Sequence, residues 1–228
     1  MDRVSTESKP AIRAVLLDAL GTLVELQPPW PRLGAALGDE VARERVEAAM
    51  RAEMRYYRAH SHEGRDPASL AELRSRCAAV LSKALGRTVD VDTMMSSIRF
   101  RPYPDAIPAL QRLRERGAAL VCVSNWDCSL PDVLEQCGLD GALDDIVVSA
   151  TAGARKPAPE IFHRALEIAG CGPDEAVHVG DTAEEDVDGA RAAGIRALHL
   201  DRDGDGGGSA NGAPSIRTLG EIEGLLWA

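Results

Sequence analysis

"RAVLLDALGTLVEL", residues 13–26, begins as a buried strand and stops at an acid. Ala14, Val15, Leu16 and Leu17 are all apolar, with no polar alternation. That is the pattern of a strand covered on both faces, as in a parallel sheet sandwiched by helices. Asp18 ends the run and is the only ionisable group between Arg13 and Glu25, while Gly21 and Thr22 supply a turn.

Further runs repeat the theme. Ile12–Leu17, Ala118–Val123, Ile146–Ser149, Ala176–Val179 and Ile195–Leu200 predict five β-strands. Helical patterns over Ser129–Cys137, Pro159–Ala169 and Glu184–Ala193 lie between the last four, and "PYPDAIPALQRLRERG" leads into the second. Strand–helix alternation of this kind predicts an α/β fold with a doubly wound parallel sheet. The stretch from Glu25 to Phe100 breaks the rhythm, with no convincing strand and with helical runs at Asp39–His60, Pro67–Leu85 and Val91–Ile98. The organisation expected is a core of residues 1–24 and 101–228, with residues 25–100 an inserted helical cap. Residues 201–214, "DRDGDGGGSANGAP", are expected to form a loop, and Ile216–Trp227 a closing helix.

Composition narrows the class of partner. A formal net charge of −10 and the lack of a dense Lys/Arg stripe argue against nucleic acid. No apolar run reaches membrane-spanning length, and "MDRVSTESKP" holds no apolar signal core. The 5 cysteines include no CxxC pair, which suits a reducing compartment. A cytoplasmic protein acting on a small-molecule anionic substrate is the expectation.

In an open parallel sheet, ligands bind beyond the carboxyl ends of the strands. The first polar residues there are Asp18 after the first strand and Ser124 with Asn125 after the second. Lys156 follows the third, and Asp181, Thr182 and Asp186 follow the fourth. Singly, each has a plainer role as a turn, a cap or an exposed loop residue. Together they form a phosphate-handling set. Asp18, Asp181 and Asp186 could hold a hard cation such as Mg²⁺, and a hydroxyl, an amide and an ammonium could bind phosphoryl oxygens.

The motifs "LLDALGTLV", "LVCVSNWD", "RKPAPEIF" and "VHVGDTAEEDVDGARAAG", in that order, resemble those of the haloacid dehalogenase (HAD) superfamily hydrolases with a helical cap after the first strand. The resemblance implies a Rossmann-like core and an aspartyl-phosphate mechanism. Asp18 would be the nucleophile and Mg²⁺ would be held by Asp18, the backbone carbonyl of Leu20, Asp181 and Asp186. Ser124 and Lys156 would be catalytic partners, while Gly21, Thr22 and Asn125 would contact substrate.

One position departs from the phosphatase pattern. Phosphatases of this superfamily carry an acid–base Asp two residues after the nucleophile, where this chain has Leu20. Losing positioned acid–base help costs about 10²–10⁴-fold. The sequence therefore leaves open an atypical Mg²⁺-dependent phosphohydrolase, a metal-free dehalogenase whose halide needs no proton, and a weakly active binding module. His60, His62, Glu63 and Asp66 are alternative proton donors in the cap, and Lys83 is the only cap lysine.

Overall fold

The computed structural model describes residues 11–38, 41–204 and 209–227. The N-terminal "MDRVSTESKP" and the start of the expected Asp39–His60 helix lie outside them. Nine strands are formed: β1 (Ala14–Leu17), β2 (Val24–Gln27), β3 (Arg99–Pro102), β4 (Ala119–Ser124), β5 (Asp145–Val148), β6 (Ala176–Gly180), β7 (Arg196–Leu200), β8 (Ser209–Ala210) and β9 (Ala213–Ile216). The main sheet runs β5-β4-β1-β6-β7-β9-β8, parallel throughout except for the β8–β9 hairpin. This is the doubly wound α/β architecture predicted from the alternation of elements.

β1 lies at the centre, paired with β4 on one side and β6 on the other, which accounts for its wholly apolar sequence. Its side chains alternate between two cores, as strand geometry requires. Val15 and Leu17 pack with Leu110, Leu113 and Leu134 on α5 (Ala106–Glu115) and α6 (Leu130–Gln136). Ala14 and Leu16 pack with Ile161, Phe162 and Ala165 on α8 (Pro159–Ala169), on the opposite face. The chain reverses its direction of winding at β1, so the crevice at the carboxyl ends opens beside Asp18.

Between β2 and β3 run α1 (Trp30–Leu37), α2 (Arg43–His60), α3 (Pro67–Leu85) and α4 (Val91–Ser97), with their own apolar core around Leu33, Met50, Leu73, Leu81 and Met94. Glu25–Phe100, expected to lack strands, is bounded by a two-stranded antiparallel ribbon, Val24 opposite Pro102 through Gln27 opposite Arg99. The expected boundaries at residues 24/25 and 100/101 fall inside it. "VELQ" and "RFRP" alternate polar with apolar residues over four positions only, so neither shows the unbroken apolar run of a strand buried on both faces.

Two further elements differ from expectation. Residues 201–214 are not all loop: Asn211 and Gly212 both adopt positive φ, 50° and 80°, and turn β8 into β9, which extends the sheet beside β7. Asn-Gly is a strong hairpin signal, hidden here by the glycines around it. The closing helix is correspondingly short, α10 (Ile222–Leu226). The Glu184–Ala193 helix is a π-helical turn, Ala183–Asp188, followed by α9 (Gly189–Ala192).

Candidate active site

Four strand ends converge on one buried cluster. Asp18 is fixed at the end of β1 by its own N–H, which donates to the Val179 carbonyl at 2.9 Å. Its Oδ1 accepts from the Ser124 hydroxyl at 3.1 Å and from Lys156 Nζ at 2.6 Å. Lys156, only 1% exposed, also donates to Asp186 Oδ1 at 2.6 Å. The π-helical turn brings Asp186 back under the strand ends, where the Thr182 N–H donates to its Oδ2 at 3.0 Å. Such bulges recur at functional sites.

Asn125 lines the cavity, and its amide also has a structural part. Its amide donates to the Lys156 carbonyl at 2.9 Å and accepts from the Lys156 N–H at 2.8 Å, so it clamps the loop that delivers the ammonium. Gly21 and Thr22 stay off the cavity wall; Thr22 is fully buried, with no partner for its hydroxyl. Gly21 instead makes room. At φ 87°, a Cβ there would run into the Asp181 carboxylate. Gly180 does the same for Asp186.

Several participants escaped the sequence reading. His178, buried in β6, puts Nε2 2.9 Å from Asp186 Oδ1 and stacks edge-on against Phe162. Arg202 donates to the carbonyls of Gly21 and Thr22 at 3.1 and 2.8 Å, pairs with Asp105 and covers the Tyr103 ring at 3.7 Å. The turn after the nucleophile is thus held by a residue from the far end of the chain. A lone His in an apolar strand and an Arg in a glycine-rich run carry no local signal of these roles.

The charges are strongly interdependent. Burial raises the pKa of Asp18 against the pull of Lys156, with Asp186 adding repulsion. Burial acts on Asp186 in the same sense, but Lys156 and the His178 ring outweigh it and hold the carboxyl well below the usual range. Asp181 is pushed up to about 7 by desolvation and by its neighbours Asp18 and Asp186. Burial disfavours charge on Lys156, yet its two carboxylate partners prevail and raise its pKa.

Asp18, Asp181 and Asp186 each bring an oxygen within 4.8 Å of the others. With all three carboxyls ionised, the cluster sets one ammonium against three carboxylates, leaving two negative charges unbalanced. Asp18 Oδ2 and the Asp181 carboxylate have no basic partner among the described residues. An all-oxygen, doubly negative cluster fits a hard divalent cation. Asp186, already engaged by three donors, suits an outer role toward that ion.

Above the cluster lies a cavity of about 630 Å³ between the strand ends and the helical segment. Asp18, Leu20, Ser124 and Trp126 line it from below; Glu53, Met54, Tyr57, Arg74 and Met94 line it from the helices. His60, His62, Glu63 and Asp66 do not reach it. Asp66 caps α3, Glu63 pairs with Arg76, and His60 stacks on Tyr56. Lys83 is exposed in the last turn of α3.

A family model described as a haloacid dehalogenase-like hydrolase matches residues 12–194. The glyceraldehyde 3-phosphate phosphatase of Methanopyrus kandleri is 36% identical over 108 residues, 45% of this chain and 44% of that protein. The phosphoglycolate phosphatase of Mesorhizobium japonicum is 29% identical over 191 residues, 82% of each chain. Several curated relatives are matched over less than half their length. Among solved structures, a HAD phosphatase from Thermococcus onnurineus superposes with a TM-score of 0.67 at 27% identity, covering 95% of this chain and 98% of that one. Among the described residues, no helix is long and apolar enough to cross a membrane.

Proposed function

Because the chain belongs to the haloacid dehalogenase-like hydrolases, we propose that it is a Mg²⁺-dependent phosphohydrolase. It acts on a small phosphorylated metabolite through an aspartyl-phosphate at Asp18, with residues 25–100 as the cap over the site. The observation that carries this reading is the unbalanced acidic cluster tied together by Lys156. A metal-free dehalogenation site has no use for two surplus negative charges beside the nucleophile.

The chain's own groups have separable tasks. Lys156 and Ser124 hold Asp18 Oδ1, which leaves Oδ2 to attack phosphorus. Lys156 also offsets the charge that an incoming phosphoryl group brings to a carboxylate. Bound Mg²⁺, held by Asp18, Asp181 and the Leu20 carbonyl with Asp186 in support, would supply Lewis-acid stabilisation of the phosphoryl oxygens. Asn125 keeps the Lys156 loop in place.

The test is phosphate release from acetyl phosphate and p-nitrophenyl phosphate, with and without Mg²⁺. Release that needs metal and disappears in D18N supports the reading. Metal-independent chloride release from 2-chloropropionate, with no phosphate release, overturns it.

A further inference from the structure

Phosphoester hydrolysis needs a proton for the leaving oxygen, and Leu20 has none to give. The same cavity contains a carboxyl that the chemistry above does not use. Glu53 stands on α2 one turn before Tyr57, on the same face of the helix. The Tyr57 hydroxyl reaches Asp127 Oδ2 at 2.7 Å, and Asp127 lies three residues beyond Ser124, the hydrogen-bond partner of Asp18. That face of α2 is therefore fastened to the carboxyl end of β4, and Glu53 and Asp18 line one cavity.

Nothing in the packing explains a carboxyl at this position. Glu53 is 3% exposed and its hydrogen-bonding neighbour is the Cys77 thiol, a weak donor. Among the described residues no basic group pairs with it. Glu53 nevertheless lines the cavity. Burying a carboxyl without a strong partner is costly. Burial also pushes its pKa up, so it keeps its proton to higher pH than a surface glutamate. The titratable groups around it are Cys77 and Arg74 from α3, Tyr57 and Arg58 from α2, and Asp127 beyond β4.

We propose that Glu53 is the acid–base group that the core lacks at position 20. As the bond from Asp18 Oδ2 to phosphorus forms and the bond from phosphorus to the leaving oxygen breaks, the Glu53 carboxyl gives that oxygen its proton. The resulting carboxylate then takes a proton from the water that attacks phosphorus, which frees inorganic phosphate and the Asp18 carboxylate. The proton is returned, and the sum is ester plus water to alcohol plus phosphate. Glu53 has this role only if the chain is a phosphohydrolase.

The experiment compares wild type and E53Q, as full chains with Mg²⁺, on phenyl phosphate and 2,4-dinitrophenyl phosphate. Phenoxide leaves poorly without a proton, whereas dinitrophenoxide needs none. E53Q is expected to lose about 10²-fold or more in kcat/KM on phenyl phosphate, with kcat/KM on the dinitrophenyl ester nearly unaffected. That ratio ends with departure of the alcohol and leaves out hydrolysis of the aspartyl-phosphate, which is common to both esters. L20D added to E53Q is expected to restore phenyl phosphate hydrolysis. Equal losses in kcat/KM on both esters, or no loss on either, overturn the proposal. If E53Q melts early, E53D decides: a loss confined to phenyl phosphate supports the role and an even loss overturns it. Failure of the phosphohydrolase reading itself looks different, because wild type would then release no phosphate from either ester, or D18N would release it as fast as wild type, and both ideas fall.

Discussion

The hydroxyl of Tyr57 donates to Oδ2 of Asp127 at 2.7 Å, joining a helix of the inserted segment to the loop that leaves β4. Asp127 is 3% exposed, and its other oxygen accepts from the Ser129 N–H and hydroxyl at 2.8 and 2.6 Å. Beside this pair the Cys128 N–H donates to the Gly64 carbonyl at 2.8 Å. The two parts of the molecule are thus fastened next to the cavity. Y57F leaves one acceptor of a buried carboxylate unpaired, which costs about 1–3 kcal/mol. Urea denaturation should show that loss, together with a raised KM; an unchanged midpoint would mean that the contact does not hold the two parts together.

Lys156 is the single cation between Asp18 and Asp186. K156M should abolish turnover and destabilise the fold by about 3–5 kcal/mol, because two buried carboxylates lose their partner. The loss should be smaller at pH 5 than at pH 8, since protonation relieves the repulsion. Paired thermal melts at the two values check this, and equal losses would contradict it.

Asp181 gives the metal-free protein a defined pH response. Its folded pKa of about 7 lies above the ordinary carboxylate value. Between those values the folded state binds more protons than the unfolded state, so stability falls as pH rises toward 7 and the contribution is flat beyond it. Asp186, held low, acts in the opposite sense: its stabilisation is present above the unfolded carboxylate pKa and is lost as pH falls below it. In chelator, Tm should therefore decline from pH 5 to pH 8. Mg²⁺ binds the deprotonated cluster, so its addition should raise Tm more at pH 8. A metal-induced gain that is the same at both values would refute the assignment.

Arg202 acts through the turn that follows the nucleophile. Its guanidinium donates to two successive carbonyls, pairs with Asp105 and stacks on Tyr103, a set of contacts that an ammonium cannot reproduce. R202K should lower kcat by about 10–10²-fold through misplacement of Asp18 and Leu20. Far-UV circular dichroism should stay as in wild type. Wild-type kcat in a folded R202K protein would remove Arg202 from the site.

What the sequence made legible follows from where each element sits. β1, β4 and β6 are buried on both faces, so their runs are nearly all apolar, and Asp18, Ser124 and Asp181, which close or follow them, lie at the open end of the sheet. β2 and β3 make a ribbon apart from that sheet with half their surface wet, and their residues carry no matching pattern. The unread members of the site owe their roles to distant partners. Arg202 meets Gly21 across 181 positions, and Glu53 becomes notable only once α2 is laid over the strand ends. Local spacing contains no trace of either relationship. Asn125 shows the same limit: its place after a strand pointed to the cavity it lines, but the two hydrogen bonds by which it holds the Lys156 backbone, 31 residues away, leave no local signal.

The β2–β3 ribbon has a consequence for how this molecule could diversify. Gln27 and Arg99 sit opposite one another in register, so the chain departs from the core and returns to it at neighbouring points. The stretch from Pro28 to Ile98 is joined to the flanking chain at two adjacent points, and its further ties to the loop after β4 are the Tyr57–Asp127 and Gly64–Cys128 hydrogen bonds. A two-residue turn across those two points would close the ribbon as a plain hairpin, and a foreign helical module could be spliced there without rewiring a single strand of the sheet that carries Asp18.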